Sequence, residues 1–130
     1  MPQRGLFAIA LAVTTLRAVG CAATVDVPQS GPVAMYPKPN GGMDALLEGT
    51  LTVIEDCVVV TQSDGSIAVP VFPVGDASWD GDEGVLSWRG DEFREGDPIS
   101  VGGGFSDAAL TAAYIPTSCP GTDTFAVSPF

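Results

Sequence analysis

Apolar and polar positions alternate along this chain in short runs, and the runs have the length of strands rather than helices. LLEGTLTVI (46–54) interleaves apolar residues with threonine, and CVVVT (57–61) is β-branched. Both patterns predict strands, with Glu55-Asp56 between them to turn or bulge. QSDGS (62–66) places an Asp-Gly pair between apolar runs, a strong hairpin signal. Its second arm is IAVPVF (67–72), where Pro70 predicts an edge position or a bulge. PVGDASWDGDEG (73–84) reads as a loop. Strands follow at VLSW (85–88), EFR (92–94) and PISVGGG (98–104), joined by turns at Arg89-Gly90-Asp91 and Glu95-Gly96-Asp97. In the last of these, Ile99 and Val101 share one face, and Gly102-Gly103-Gly104 lets the backbone kink where a barrel closes or approach another chain. SDAALTAAY (106–114) fits a short helix capped by Ser106 or Asp107 and fits a strand equally well. TFAVS (124–128) reads as the final strand.

Short strands punctuated by turns predict an all-β domain over residues 43–130. The expected form is a partly open five- or six-stranded barrel of the OB type, with a small β-sandwich as the alternative. A domain of this size has a marginal core by surface-to-volume scaling, so a covalent cross-link would add materially to its stability.

The first forty residues follow a different pattern. Arg4 precedes an apolar run over 5–16 that is too short to span a bilayer as helix and is apolar on every face. Residues 1–20 therefore read as a helical export signal. Residues 21–42 carry Pro28, Pro32, Pro37 and Pro39 and read as an extended tether; the alternative is a segment wrapped on the domain and pinned by Val33, Met35 and Tyr36. At the junction stands Ala18-Val19-Gly20-Cys21, which resembles the lipobox of bacterial lipoproteins. That resemblance implies cleavage before Cys21, diacylglyceryl and palmitate-class acylation of this cysteine, and a membrane anchor on the extracytoplasmic face. Arg17 departs from the pattern, since lipoproteins are normally uncharged just ahead of the box. The alternative is a secreted protein cut nearby, with Cys21 a thiol or disulfide partner.

Cysteine arithmetic bears on this choice. The chain has three cysteines, and lipidation of Cys21 leaves the even pair Cys57 and Cys119. An oxidising compartment would join them, and closing so long a loop constrains the unfolded chain by about 4 kcal/mol. Without any histidine or a CxxC spacing, a cysteine-based metal site is a poor fit. Charge adds a further constraint. Removal of residues 1–20 takes Arg4 and Arg17 from the five Lys and Arg, leaving Lys38, Arg89 and Arg94 against sixteen Asp and Glu, a net charge of −13. Such a surface repels phosphate backbones, so no nucleic-acid partner is expected; it keeps an exported protein dispersed.

The pieces GTLTV, the single cysteine before VVV, VPVFP and GDPISVGGG, spread over 49–104, together resemble uncharacterised lipoproteins of actinobacteria, a resemblance that implies no activity. Candidate chemistry is sparse. Asp76, Asp80, Asp82 and Glu83 surround Trp79 in an acidic, glycine-containing loop that offers oxygens for calcium, although the spacing is not that of an EF-hand. No other cofactor is expected. Absence of histidine removes Ser-His-Asp and Cys-His arrangements, and no catalytic set is predicted. Arg89-Gly90-Asp91 is the integrin-type tripeptide but fits a strand turn; Phe130 has the type of the last residue of outer-membrane barrels, which Pro129 and the short domain oppose. Trp88 ends an apolar strand and is expected in the core. The expected function is that of a non-catalytic, lipid-anchored envelope-binding or envelope-organising module whose partner is an envelope protein or glycan. The alternative is a secreted calcium- or carbohydrate-binding protein using Asp76, Asp80, Asp82 and Trp79.

Overall fold

The computed structural model describes residues 26–129. Residues 1–20, read above as an export signal, the lipobox-like stretch with Cys21, and Phe130 lie outside the described residues. Among the described residues nine strands form: β1 (Ala34–Tyr36), β2 (Ala45–Ile54), β3 (Cys57–Thr61), β4 (Ile67–Pro73), β5 (Ala77–Asp80), β6 (Val85–Trp88), β7 (Asp91–Arg94), β8 (Pro98–Gly104) and β9 (Asp123–Val127). The domain is all-β, as the alternation predicts.

Five of these strands close a ring. β2 pairs with β3, β3 with β4, β4 with β9, β9 with β8, and β8 returns to β2. All pairs are antiparallel except β4 with β9. Numbered in chain order, the barrel strands run 1-2-3-5-4, a five-stranded Greek-key barrel of the OB type. The glycine run does close it. Gly103 pairs with Ala45 of β2 and with Val127 of β9. A Cβ there would collide with the Ala126 carbonyl oxygen and come within 2.8 Å of the Phe125 ring.

Alternation decides which residues fill the barrel. Leu47, Leu51, Val58, Val60, Ala68, Phe72, Ile99, Val101, Phe125 and Val127 point into one buried cluster. β2 and β8 turn polar or exposed residues outward between these positions, as one-sided antiparallel strands do. β3 and β4 read as continuous apolar runs because their outer faces are buried too. Cys57, Val59, Val69 and Val71 form a second cluster with Ala34, Tyr36 and Ala126, covered by Leu110, Ala113 and Cys119. The cover is the segment 105–122 between β8 and β9, irregular apart from a 3-10 turn at Ala108–Leu110. So 106–114 is neither a full helix nor a ladder strand. Asp107 stands at the N-cap of that turn without a side-chain capping bond.

Three expectations need correction. Residues 21–42 are not a tether over their second half. Val33, Ala34, Met35 and Tyr36 are buried, and β1 runs parallel to β4 from Ala34↔Val71 to Tyr36↔Pro73. The apolar residues Val33, Met35 and Tyr36 outweigh the prolines around them, because burial repays the extended backbone that the prolines already favour. Lys38 also returns to the domain, pairing with Asp76 at 2.7 Å. Pro70 is likewise not on an outer edge, since β4 has neighbours on both sides. β3 pairs with β4 only at Ile67 and Ala68, and β1 takes over from Val71. The Val74 amide donates to the Tyr36 carbonyl, so alternate residues back to Pro70 face that same edge. The missing N–H therefore falls where β3 hands over to β1.

The stretch 73–84 is only partly a loop, because it contains β5. β5, β6 and β7 make a three-stranded meander between the third and fourth barrel strands. Its Ala77, Leu86 and Trp88 join the barrel core, and the Trp88 ring lies 5.1 Å from that of Phe72. The QSDGS hairpin forms as predicted. Gly65 donates to the Gln62 carbonyl, and the Ser66 hydroxyl and amide hold the Asp64 carboxyl below its ordinary range.

Tyr36 fastens β1 to β9 by donating its hydroxyl to the Val127 carbonyl at 2.7 Å. Burial, reinforced by the charge of Asp76, raises its phenol above the ordinary value of 10.0. The folded state thus favours the neutral phenol. Its contribution is complete below the unfolded pKa and is lost as pH rises through the folded one. Urea midpoints measured from pH 7 to 11 are expected to fall above about pH 10. In Tyr36→Phe stability at pH 7 is lower by about 1 kcal/mol for the lost bond, with a correspondingly lower midpoint, but it declines less on the alkaline side. Parallel curves would show that other groups cause the alkaline loss.

Candidate functional site

The acidic loop does not assemble a metal site. Asp76 precedes β5 and Asp80 ends it, and four extended residues hold their backbones about 13 Å apart. Three of the four carboxylates then have local tasks. Asp76 pairs with Lys38. Asp80 Oδ1 accepts the amides of Asp82 and Glu83 at 3.0 and 3.1 Å, closing the β5–β6 turn. Glu83 stands 3.8 Å from Arg94, whose guanidinium also donates to the Glu83 carbonyl. Among the described residues no three acid, cysteine or histidine side chains gather as metal ligands. The expected calcium set Asp76, Asp80, Asp82 and Glu83 is therefore corrected: β5 separates Asp76 from the other three, and Asp80 is engaged by the turn amides of Asp82 and Glu83.

Cys57 and Cys119 form the expected disulfide, with S–S 2.06 Å. It ties the 105–122 cover to the first residue of β3. Arg89-Gly90-Asp91 is a turn. Arg89 and Gly90, at φ 55° and 81°, are the two central residues of a tight hairpin in which Trp88 pairs with Asp91. The Arg89 guanidinium lies 5.5 Å from the centroid of the buried Trp88 ring.

What the fold does assemble is a cleft of about 510 Å³ at the rim of the barrel. Four separate pieces of chain build it. The β2–β3 turn supplies Asp56, β5 supplies Trp79, the segment before β1 supplies Gly31 and Pro32, and the cover supplies Tyr114, Thr117 and Ser118. Trp79 is half-buried, and it also walls a smaller adjoining cleft of about 200 Å³. Tyr114 is fixed in three ways. Its amide and carbonyl pair with Met35, and its hydroxyl donates to the Gly31 carbonyl at 2.7 Å. Among the described residues no Lys or Arg lines the larger cleft.

The turn at its edge is strained. Glu55 and Asp56 have φ of 47° and 63°, the left-handed pair that a two-residue hairpin requires and that Asn-Gly ordinarily supplies. Side chains in this region cost on the order of 1 kcal/mol each. Sequence reasoning singled out Trp79 but missed Asp56, Tyr114, Thr117 and Ser118. One signal was present: Glu55-Asp56 is a glycine-free pair between two strands, poor chemistry for the turn it must make.

No protein-family model, curated protein or solved structure matches the chain.

Proposed function

We propose that this protein is a non-catalytic binding module of the cell envelope, held to the membrane by a lipid on Cys21 and presenting its barrel on the extracytoplasmic side. The observation that carries the proposal is the Cys57–Cys119 bond. It calls for an oxidising compartment, and it uses two of the three cysteines, leaving Cys21 as the one available for acylation. The rim cleft gives such a module a place for a ligand.

The intact mass of native protein recovered from its own membranes tests this. The expected result is a chain beginning at Cys21 and carrying acyl mass. An unacylated chain in the culture medium would replace the anchored module with the secreted binding protein.

A further inference from the structure

We infer that the rim cleft is a binding site for a neutral oligosaccharide, one sugar ring of which stacks on Trp79. The inference rests on reading the protein as a binding module and adds the class of ligand.

Position is the first reason. OB barrels bind oligosaccharides and oligonucleotides on the face of their second and third strands, using the loops between strands 1 and 2 and between strands 4 and 5. Here the second and third barrel strands are β3 and β4. Their outer face is closed by the chain's own 105–122 segment, which the disulfide locks to β3. Yet the two loops still meet. Asp56 comes from the loop between β2 and β3, and Tyr114, Thr117 and Ser118 come from the loop between β8 and β9; all line the one cleft. Closure of the face thus leaves the rim, where both loops remain open to solvent.

The lining chemistry is the second reason. A half-buried indole offers a flat apolar surface to the C–H face of a pyranose. Around it stand a carboxylate that accepts hydrogen bonds and two hydroxyls that donate and accept them, the complement of a ring of sugar hydroxyls. The volume is in the range of small-ligand sites. Charge selects within the class. With Asp56 in the lining and neither Lys nor Arg there among the described residues, on a chain of net charge −11, the cleft disfavours uronic acids, sulfated sugars and nucleic acids.

Strain at the β2–β3 turn is the third. Asp56 holds its carboxylate at the cleft from a backbone position where glycine would be relaxed. Stability and binding therefore pull in opposite directions at this residue, which makes it a sharp test.

The experiment is a fluorescence and calorimetric titration of the full, oxidised chain with a panel of neutral tetrasaccharides built from glucose, mannose and N-acetylglucosamine, with tetragalacturonate as the anionic comparison. At least one neutral sugar is expected to bind saturably at millimolar concentration or below, and more tightly than tetragalacturonate. Trp79→Ala is expected to weaken it roughly tenfold, as loss of a stacking surface does. Asp56→Gly is expected to weaken it to a similar degree while raising the melting temperature, a combination that misfolding cannot produce. Three results would each overturn the inference: no saturable binding to any neutral sugar, equal or tighter binding of tetragalacturonate, or full affinity in both variants. None of these touches the lipid on Cys21, which the intact mass decides separately.

Discussion

Replacing Cys57 and Cys119 by serine is expected to lower the stability of the domain by about 4 kcal/mol, or roughly 20 °C in melting temperature. The bond joins residues 62 apart in sequence, and restoring that freedom to the unfolded chain is the main term. A second effect is local. Cys119 lies in the segment that covers Val59, Val69 and Val71. The other ties of this segment are the contacts of Leu110 and Ala113, the edge-on packing of Phe105 against Phe125, a long Thr124–Asp107 hydrogen bond, and the Tyr114 bonds to Met35 and Gly31. Urea unfolding of the double variant, beside wild-type protein with and without reductant, measures the first effect. Binding of a hydrophobic dye under native conditions measures the second, because a lifted cover exposes the outer face of β3 and β4. A loss below about 1 kcal/mol without dye binding would mean that the cover is secured by its non-covalent contacts.

Phe72→Ala is expected to cost a further amount of similar size, about 4 kcal/mol. Phe72 is fully buried near the end of β4, where it belongs to the barrel core and also meets Trp88 of the meander, with rings at 58°. Truncation removes an aromatic side chain from the barrel and the seat of the meander at once. Trp88 fluorescence is therefore expected to shift to the red before the global transition, as the meander loosens ahead of the ring of strands. Phe72→Leu, which keeps most of the volume, is expected to cost less than half as much and to leave the emission unchanged. A single cooperative loss with unshifted fluorescence would show that the meander and barrel unfold as one unit.

Which elements the sequence made legible follows from how local their causes are. β2, β3, β4, β6, β7, β8 and β9 were readable within a residue or so because alternation and turn chemistry act over neighbouring positions. The Asp64-Gly65 hairpin and the Arg89-Gly90 turn are of the same kind. β1 was missed because three residues among prolines carry no strand signal of their own; Ala34–Tyr36 is a strand only because β4 and Tyr114 lie on either side of it. β5 was missed for a related reason. ASWD is short and polar at alternate positions, and pairing with VLSW supplies its ladder. In the calcium set, closeness in sequence misled: Asp76 and Asp80 are four residues apart, and an extended strand makes that a long way.

The amino-acid sequence by itself determined the all-β class, the hairpins, the glycine kink at the barrel seam, and the choice of Cys57 and Cys119 as partners once Cys21 is assigned elsewhere. These rest on periodicity, turn geometry and parity, which need no knowledge of distant contacts. Only the tertiary structure decided that the second and third barrel strands are buried on both faces, that residues 33–36 belong to the fold, and that Asp56, Trp79, Tyr114 and Thr117 meet in one cleft. Those residues span more than sixty positions and come from loops and a strand whose own sequences carry no sign that they meet. Closure of the ring, which sets the register of each strand against the next, is what brings them to one rim.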